Sequence, residues 1–134
     1  MAGVSDLYQY TLTELNAQTA SGQITSKQVL ESQLARIAAR EPQVQAWAWH
    51  HPEQVRQQFD ALTERQRSQP LAGVAIGIKD IIDTAEMPTA YGSKAYVGHR
   101  PMQDASVIQK LKSAGAILLG KTVTTAFAHV HAGP

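Results

Sequence analysis

Residues 73–79 read Gly-Val-Ala-Ile-Gly-Ile-Lys, an apolar run that ends in a lysine. A short apolar run with these boundaries is typical of a buried β-strand. A second run, Ala-Ile-Leu-Leu at 116–119, follows a helical pattern that Asp104 is expected to cap and Gly115 to stop. A strand, a helix and a second strand in this order predict a β-α-β unit with parallel strands.

The lysine at the end of the first run, Lys79, is a candidate catalytic base. Burial disfavours the ammonium form of a lysine, and the neutral amine is able to accept a proton. The alternative interpretation is a lysine that leaves the strand and enters solvent. The position favours a function, because Lys79 heads the long connection 79–103, and ligands of open α/β sheets bind at the carboxyl ends of strands.

The region before this unit is predicted to be a helical scaffold over residues 1–69, followed by the start of an α/β core over 70–134. The fold class is therefore α/β, with N-terminal helices packed on part of a mixed β-sheet. The length of 134 residues suits one domain, so both parts are assigned to a single domain.

Within the scaffold, the pattern predicts a short helix over 13–21 and a longer one after Thr25, which forms a capping box with the glutamine three residues later. Pro42 is expected to end the longer helix. Residues 44–49 alternate enough to predict a strand, and Pro52 then opens another helix.

Two tryptophans, Trp47 and Trp49, stand two residues apart in that predicted strand. Residues i and i+2 of a strand share one face. The pair is interpreted as core or interface, and a ligand platform is the alternative.

Two segments together carry a family resemblance. The sequence Pro-Leu-Ala-Gly-Val-Ala-Ile-Gly-Ile-Lys-Asp at 70–80 resembles the P-L-x-G-x-x-x-G-x-K-D segment of the amidase signature family, which are serine amide hydrolases. Residues 111–122 resemble the L-x-x-A-G-A-x-x-x-G-K-T block of the same family. The resemblance is strong over 70–127 and loose before it, and it implies the amidase signature fold, incomplete in this chain.

The resemblance implies hydrolysis of carboxylic amide C–N bonds with Lys79 as the base. The family adds a nucleophilic serine and a second serine that follows a cis peptide bond, both in a Gly/Ser-rich stretch after the G-K-T block. The 134 residues contain no Gly-Gly-Ser or Gly-Ser-Ser run. We therefore expect the N-terminal part of an amidase that is inactive alone. The alternative is a noncatalytic truncated fragment that acts as a folded or interaction module.

Four further residues are candidates for support of this site. Asp80 and Asp83 flank the base and are interpreted as holding it in place or helping to set its protonation, and the alternative is a local turn or an exposed ion pair. Gly92 and Ser93 belong to a turn in the long connection. Ser93 lacks a Gly-x-Ser-x-Gly elbow and is interpreted as a loop residue instead of a nucleophile. Ala126 replaces a glutamate that is common in the family, which is expected to remove a polar contact under the site.

A rival motif lies at Gly115–Thr122, which satisfies the nucleotide-binding pattern G-x-x-x-x-G-K-S/T. A phosphate-binding loop follows a strand and has loop residues between its glycines. Here a helix is predicted before Gly115, and the intervening Ala-Ile-Leu-Leu favours a strand. A P-loop nucleotide binder is therefore only a remote alternative.

Histidines occur as the pairs His50-His51 and His129-x-His131, but no third ligand stands at an informative spacing. No metal is expected, and the family resemblance implies no organic cofactor.

The composition bounds the remaining partners. The 12 Lys and Arg residues nearly balance the 11 Asp and Glu residues, and no basic block indicates nucleic acid. No apolar stretch is long enough for a membrane span, and the absence of cysteine excludes disulfides. The expected location is cytoplasmic, and the expected partner is a small-molecule amide. A second copy of the chain or a missing C-terminal segment are the other candidate partners.

Overall fold

The computed structural model describes residues 4–130. The chain divides into two compact units, Met1–Gln45 and Ala46–Pro134. In chain order, the described helices are α1 Leu12–Ala20, α2 Ser26–Val44, α3 Pro52–Asp60, α4 Glu64–Arg67 and α5 Ser106–Ser113. The described strands are β1 Trp47–Trp49, β2 Ala75–Lys79 and β3 Ile117–Thr122, and short 3-10 turns occur at Val4–Gln9, Lys94–Tyr96 and Ala126–Ala128.

The first unit is built by two capped helices. The capping box predicted at Thr25 is confirmed, because its hydroxyl oxygen accepts from the Gln28 amide at 3.1 Å and its own amide donates to the Gln28 side chain at 2.8 Å. Three apolar side chains, Leu7, Leu15 and Val29, form one buried cluster of this unit, and Leu30 and Leu34 are also buried.

The helix end predicted at Pro42 is wrong, since α2 continues through Pro42 to Val44. Proline removes one backbone donor and is most disruptive in a helix interior. Here it lies in the last turn, where the helix closes with a bond from the Gln45 amide to the Glu41 carbonyl oxygen. Gln45 then adopts the left-handed conformation, with φ of 51°, and ends the helix.

The second unit contains a three-stranded sheet with the order β1-β3-β2 among the described residues. β2 and β3 are parallel neighbours joined through α5, as the β-α-β pattern predicted. β1 pairs with β3 in the antiparallel sense, so the sheet is mixed. β3 runs three residues beyond the predicted apolar run and includes Gly120, Lys121 and Thr122.

One face of this sheet packs against α5. Ile78, Met87, Ile108 and Leu118 form the buried core of the face, and Trp49 packs against it. Burial of these side chains supplies the main stabilisation of the unit, at roughly 1.5–3 kcal/mol for each large apolar side chain.

The cap predicted for α5 is also wrong. The N-cap residue is Ala105, which makes no side-chain cap. The Asp104 carboxylate instead accepts from the Ala85 amide at 2.8 Å and from Lys112 Nζ at 3.0 Å. Asp104 therefore ties the long connection to α5 and leaves the helix start uncapped.

The two tryptophans do not share a face of the sheet. Trp47 pairs with Thr122, and Trp49, two residues later, pairs with the adjacent Lys121. The register is therefore irregular between the two tryptophans. Trp49 packs on the core face, whereas Trp47 lies over Gly77 on the other face. Gly120 permits this arrangement, because a Cβ there would collide with the carbonyl oxygen of Trp49.

Candidate active site

Lys79 is the last residue of β2 and pairs in register with Thr122 of β3, so it lies at the carboxyl end of the strand as predicted. Ile76 and Ile78 point to the core, and alternation turns Lys79 to the opposite face. The expected burial is wrong, because the Lys79 side chain is exposed. Within residues 4–130 its ammonium group makes no hydrogen bond or ion pair. Its role as a base stays a prediction.

The buried lysine of this site is Lys121, which the sequence analysis placed in the G-K-T block and in the rival P-loop motif but did not single out as a site residue. Its side chain is 0% exposed. Nζ lies 3.1 Å from Asp80 Oδ1, 2.6 Å from Thr89 Oγ1 and 3.3 Å from the Pro88 carbonyl oxygen. Burial lowers the pKa of Lys121, and the hydrogen bond and charge of Asp80 oppose that change.

Because the two lysines differ so strongly in exposure, we predict that they react at different rates with a lysine acylating reagent. Lys79 is expected to be modified at a rate close to that of Lys94, which is also exposed. Lys121 is expected to be protected by a factor of about 10 or more, since modification requires opening of the buried site. Peptide mass spectrometry over a time course measures both rates, and equal rates for Lys79 and Lys121 would contradict the burial described here.

Asp80 connects the strand ends to the long connection. Its amide donates to the Thr122 carbonyl oxygen at 2.9 Å, which extends the β2–β3 pairing by one residue. Its carboxylate Oδ2 accepts from the Ala90 amide at 3.1 Å, and its carbonyl oxygen accepts from the Tyr91 amide at 2.9 Å. Asp80 is 4% exposed, so the interpretation as an exposed ion pair is wrong. It is a buried junction, in the sense that its hydrogen bonds join the strand ends to the long connection.

Asp83 lies at the same end of the sheet and accepts a hydrogen bond from the Tyr91 hydroxyl at 2.6 Å. This bond stabilises the protonated phenol and, together with burial and the nearby charge, raises the pKa of Tyr91 to about 12. Tyr91 has a positive φ of 55°, which is strained for a residue with a bulky side chain. The bonds that Tyr91 donates to Asp80 and Asp83 hold that strained backbone in place.

The tyrosine titration tests this arrangement. Tyr91 has a higher pKa in the folded state than the usual 10.0, so its stabilising contribution is present below pH 10 and is lost as the pH rises through about 12. We expect an ultraviolet titration to show one late-ionising tyrosine of the four, and Tyr91→Phe to remove that step. In Asp83→Asn the late step should move toward pH 10, and a step unmoved in both variants would contradict the assignment.

Gly92 and Ser93 follow Tyr91 in a tight turn. A Cβ at Gly92 would approach the carbonyl oxygens of Thr124 and Thr125 to 2.8 and 2.7 Å, and its φ is 65°, so glycine is required. Ser93 Oγ accepts from the Ala95 amide at 3.3 Å and caps the turn Lys94–Tyr96. These contacts give Ser93 a structural place in the loop.

The P-loop interpretation is wrong, because Ile117–Thr122 is a buried strand and Lys121 is paired with Asp80. The described residues contain no group of three acidic or histidine side chains that could hold a metal ion. His50 Nδ1 lies 2.7 Å from the Leu119 carbonyl oxygen, and His131 lies outside the described residues. No described helix is long and apolar enough to cross a membrane.

The site therefore contains an exposed lysine, Lys79, next to a buried junction made by Asp80 and Lys121. Sequence reasoning missed Lys121 although it carries a signal like that of Lys79, namely a cation at the carboxyl end of an apolar strand. The candidate support residues Asp80, Asp83 and Gly92 do meet around Tyr91.

Comparison with known proteins identifies the family. The family model Amidase matches residues 28–133, and the chain belongs to this family. One subunit of the glutamyl-tRNA(Gln) amidotransferase of Chloroflexus aggregans is 38% identical over 129 residues, which cover 93% of this chain and 26% of the relative. The corresponding subunit in Streptomyces coelicolor is 41% identical, with the same coverage.

Solved structures agree with the fold. The peptide amidase of Stenotrophomonas maltophilia superposes with a TM-score of 0.76 at 30% identity, covering 92% of this chain and 26% of that one. The 6-aminohexanoate cyclic dimer hydrolase superposes with a TM-score of 0.77 at 27% identity, covering 91% and 25%. The chain thus spans about a quarter of the length of the relatives it matches.

Proposed function

We propose that the protein carrying this chain hydrolyses the C–N bond of a small carboxylic amide, with Lys79 as the general base. Membership of the Amidase family and the position of Lys79 in the matched segment support the proposal. One observation carries it. Two lysines lie at the carboxyl ends of β2 and β3. The ammonium group of Lys121 donates hydrogen bonds to Thr89 and Pro88 and pairs with Asp80, whereas Lys79 is exposed and unpaired within residues 4–130.

In the proposed mechanism, a serine hydroxyl attacks the amide carbonyl while its proton passes through a second serine to Lys79. Serine is a weak nucleophile at neutral pH, and removal of its proton during attack is the step that a base accelerates. The proton then passes to the leaving amine, and water hydrolyses the acyl-serine. A lysine replaces the usual histidine in known variants of the serine triad.

This chain supplies only the base in the proposed mechanism. Neither serine can be assigned within the 134 residues, because Ser93 caps a turn and no Gly/Ser-rich run follows the G-K-T block. Both serines and the donors that stabilise the oxyanion are proposed to come from a segment that this sequence does not contain. The proposed reaction uses no metal or organic cofactor.

The experiment is reconstitution with a complementary segment, defined here as the portion of the Chloroflexus aggregans relative that this chain does not match. The two polypeptides are co-expressed, purified together and assayed for ammonia release from a panel of small amides that includes glutamine. We expect release by the pair and none above background by either polypeptide alone. Release by the complementary segment alone at the rate of the pair would contradict a catalytic role for this chain.

A noncatalytic folded module remains the second candidate, and Ala126 is the observation that favours it. Ala126 begins the last described 3-10 turn, and the family resemblance implies a glutamate at this position. A reconstituted pair that is stable but releases no ammonia supports this second candidate. Gain of activity in Ala126→Glu would instead assign the defect to the missing carboxylate.

A further inference from the structure

The buried Asp80–Lys121 ion pair is expected to contribute little net free energy to folding, because burying two charges costs desolvation free energy. Two charges lose their hydration when they are buried, and replacing such a pair by apolar side chains of similar volume is often neutral or stabilising. Lys121 is nevertheless 0% exposed and Asp80 is 4% exposed. This arrangement indicates a role in positioning, because a buried ion pair with all its hydrogen bonds made fixes the relative position of the segments that it joins.

The groups that the pair joins are the strand end with Lys79 and the segment Thr89–Tyr91. Lys121 contacts Thr89 Oγ1 at 2.6 Å, and Asp80 accepts from the amides of Ala90 and Tyr91. Three consecutive residues of the long connection are therefore fixed against the residue that follows Lys79. A further contact from Thr89 Oγ1 to Thr84 Oγ1 at 3.5 Å continues this network away from the sheet.

We propose that Lys121 and Thr89 are positioning residues for Lys79, and that they act through Asp80. This inference rests on the proposed function, since it concerns the same site. Lys121 fixes the Asp80 carboxylate, and Thr89 fixes the Lys121 ammonium. Asp80 in turn holds the end of β2 and the Thr89–Tyr91 segment in one arrangement around Lys79.

The positioning matters because proton transfer depends steeply on distance. A misplacement of about 1 Å lowers the catalytic rate on the order of 10²-fold. Lys79 has no partner of its own among the described residues, so its placement depends on the backbone of the strand end. The buried pair is the feature that holds this strand end to the connection.

The test uses a matched pair of substitutions at Thr89. Thr89→Val removes the oxygen that accepts from Lys121 and keeps the side-chain shape, whereas Thr89→Ser keeps the oxygen. Lys121→Met is the second perturbation, and it removes the ammonium itself. Each variant is reconstituted with the complementary segment, and kcat and KM for ammonia release are measured at low temperature and normalised to the folded fraction.

We expect kcat to fall by about 10- to 100-fold in Thr89→Val and Lys121→Met, with KM changed less than about threefold, and we expect Thr89→Ser to restore kcat. Residues that contribute only to stability would lower the folded fraction and leave the normalised kcat unchanged. Normalised kcat values equal to the unsubstituted pair in both Thr89→Val and Lys121→Met would overturn the proposal.

A second readout separates this inference from the proposed function. Hydrogen exchange of the Ala90 and Tyr91 amides is measured in the chain alone, with the Ala95 amide as a reference. We expect protection at Ala90 and Tyr91 to drop at least about tenfold in Thr89→Val and to return in Thr89→Ser. If the two reconstituted polypeptides are inactive, the proposed function fails, and the exchange result alone decides whether Thr89 and Lys121 hold the Thr89–Tyr91 segment in place. Unchanged protection of Ala90 and Tyr91 in Thr89→Val would overturn the positioning proposal.

Discussion

Replacement of Lys79 by methionine is expected to lower kcat/KM of the reconstituted pair by about 10²- to 10⁴-fold. This is the range for loss of a general base, and methionine keeps the length and apolar stem of the side chain. Folding should change little, because Lys79 is exposed and has no side-chain partner among residues 4–130. Ammonia release as a function of amide concentration measures the effect.

Two control variants make this prediction specific. Lys79→Arg keeps a positive charge but provides no neutral amine, because arginine does not lose its proton in proteins, and it should be as inactive as Lys79→Met. Lys94→Met removes an exposed lysine in the turn Lys94–Tyr96 and should be as active as the unsubstituted pair. Activity of Lys79→Met within about twofold of the Lys94→Met control, with no loss of the size expected for a general base, would contradict the base assignment.

The second large effect is expected on stability. Lys121→Met should lower the free energy of unfolding by about 3–5 kcal/mol, because it leaves the Asp80 carboxylate buried without its cation. The change is measured by urea unfolding of the chain.

The double variant Asp80→Asn with Lys121→Met is the control for this prediction. It removes both charges and should recover part of the loss, so the two substitutions are expected to be non-additive. Additive losses, or a loss below about 1 kcal/mol for Lys121→Met alone, would show that the pair is not the buried ion pair described here.

The β-α-β unit could be predicted from the sequence because its signals are local. A short apolar run flanked by glycine and a charge favours a strand, and Gly115, with φ of 92°, stops the helix as expected. The capping box at Thr25 is equally local. Family membership also followed from short segments, since two motifs at a fixed order carried the resemblance.

The burial of the two lysines depends on nonlocal contacts, and the sequence analysis assigned burial to Lys79 instead of Lys121. Lys79 and Lys121 both lie at the carboxyl ends of apolar strands, so both carry a similar local signal. Which one is buried depends on the parity of each strand relative to the core and on the connection folding back to bring Thr89 to Lys121. Neither property is encoded in the residues next to the lysines.

The same reason explains the smaller errors. The register irregularity that separates Trp47 from Trp49 exists only in the pairing with β3. Asp104 precedes α5 as a cap would, but its carboxylate accepts hydrogen bonds from two other groups. One is the Ala85 amide, which is distant in the sequence, and the other is Lys112 Nζ, in the last turn of the helix. A nonlocal partner competes with the local cap and binds the carboxylate.

Labelling by a fluorophosphonate probe tests most directly whether Lys79 is the base, because an activated serine displaces fluoride from the probe and becomes phosphonylated, whereas an unactivated serine reacts slowly. The probe is added to the complementary segment alone, to the reconstituted pair and to the pair with Lys79→Met, and the labelling rate is followed by gel fluorescence and mass spectrometry. We expect rapid labelling of one serine of the complementary segment, only in the presence of this chain and only with Lys79 intact. Labelling at the same rate with Lys79→Met would contradict the base assignment.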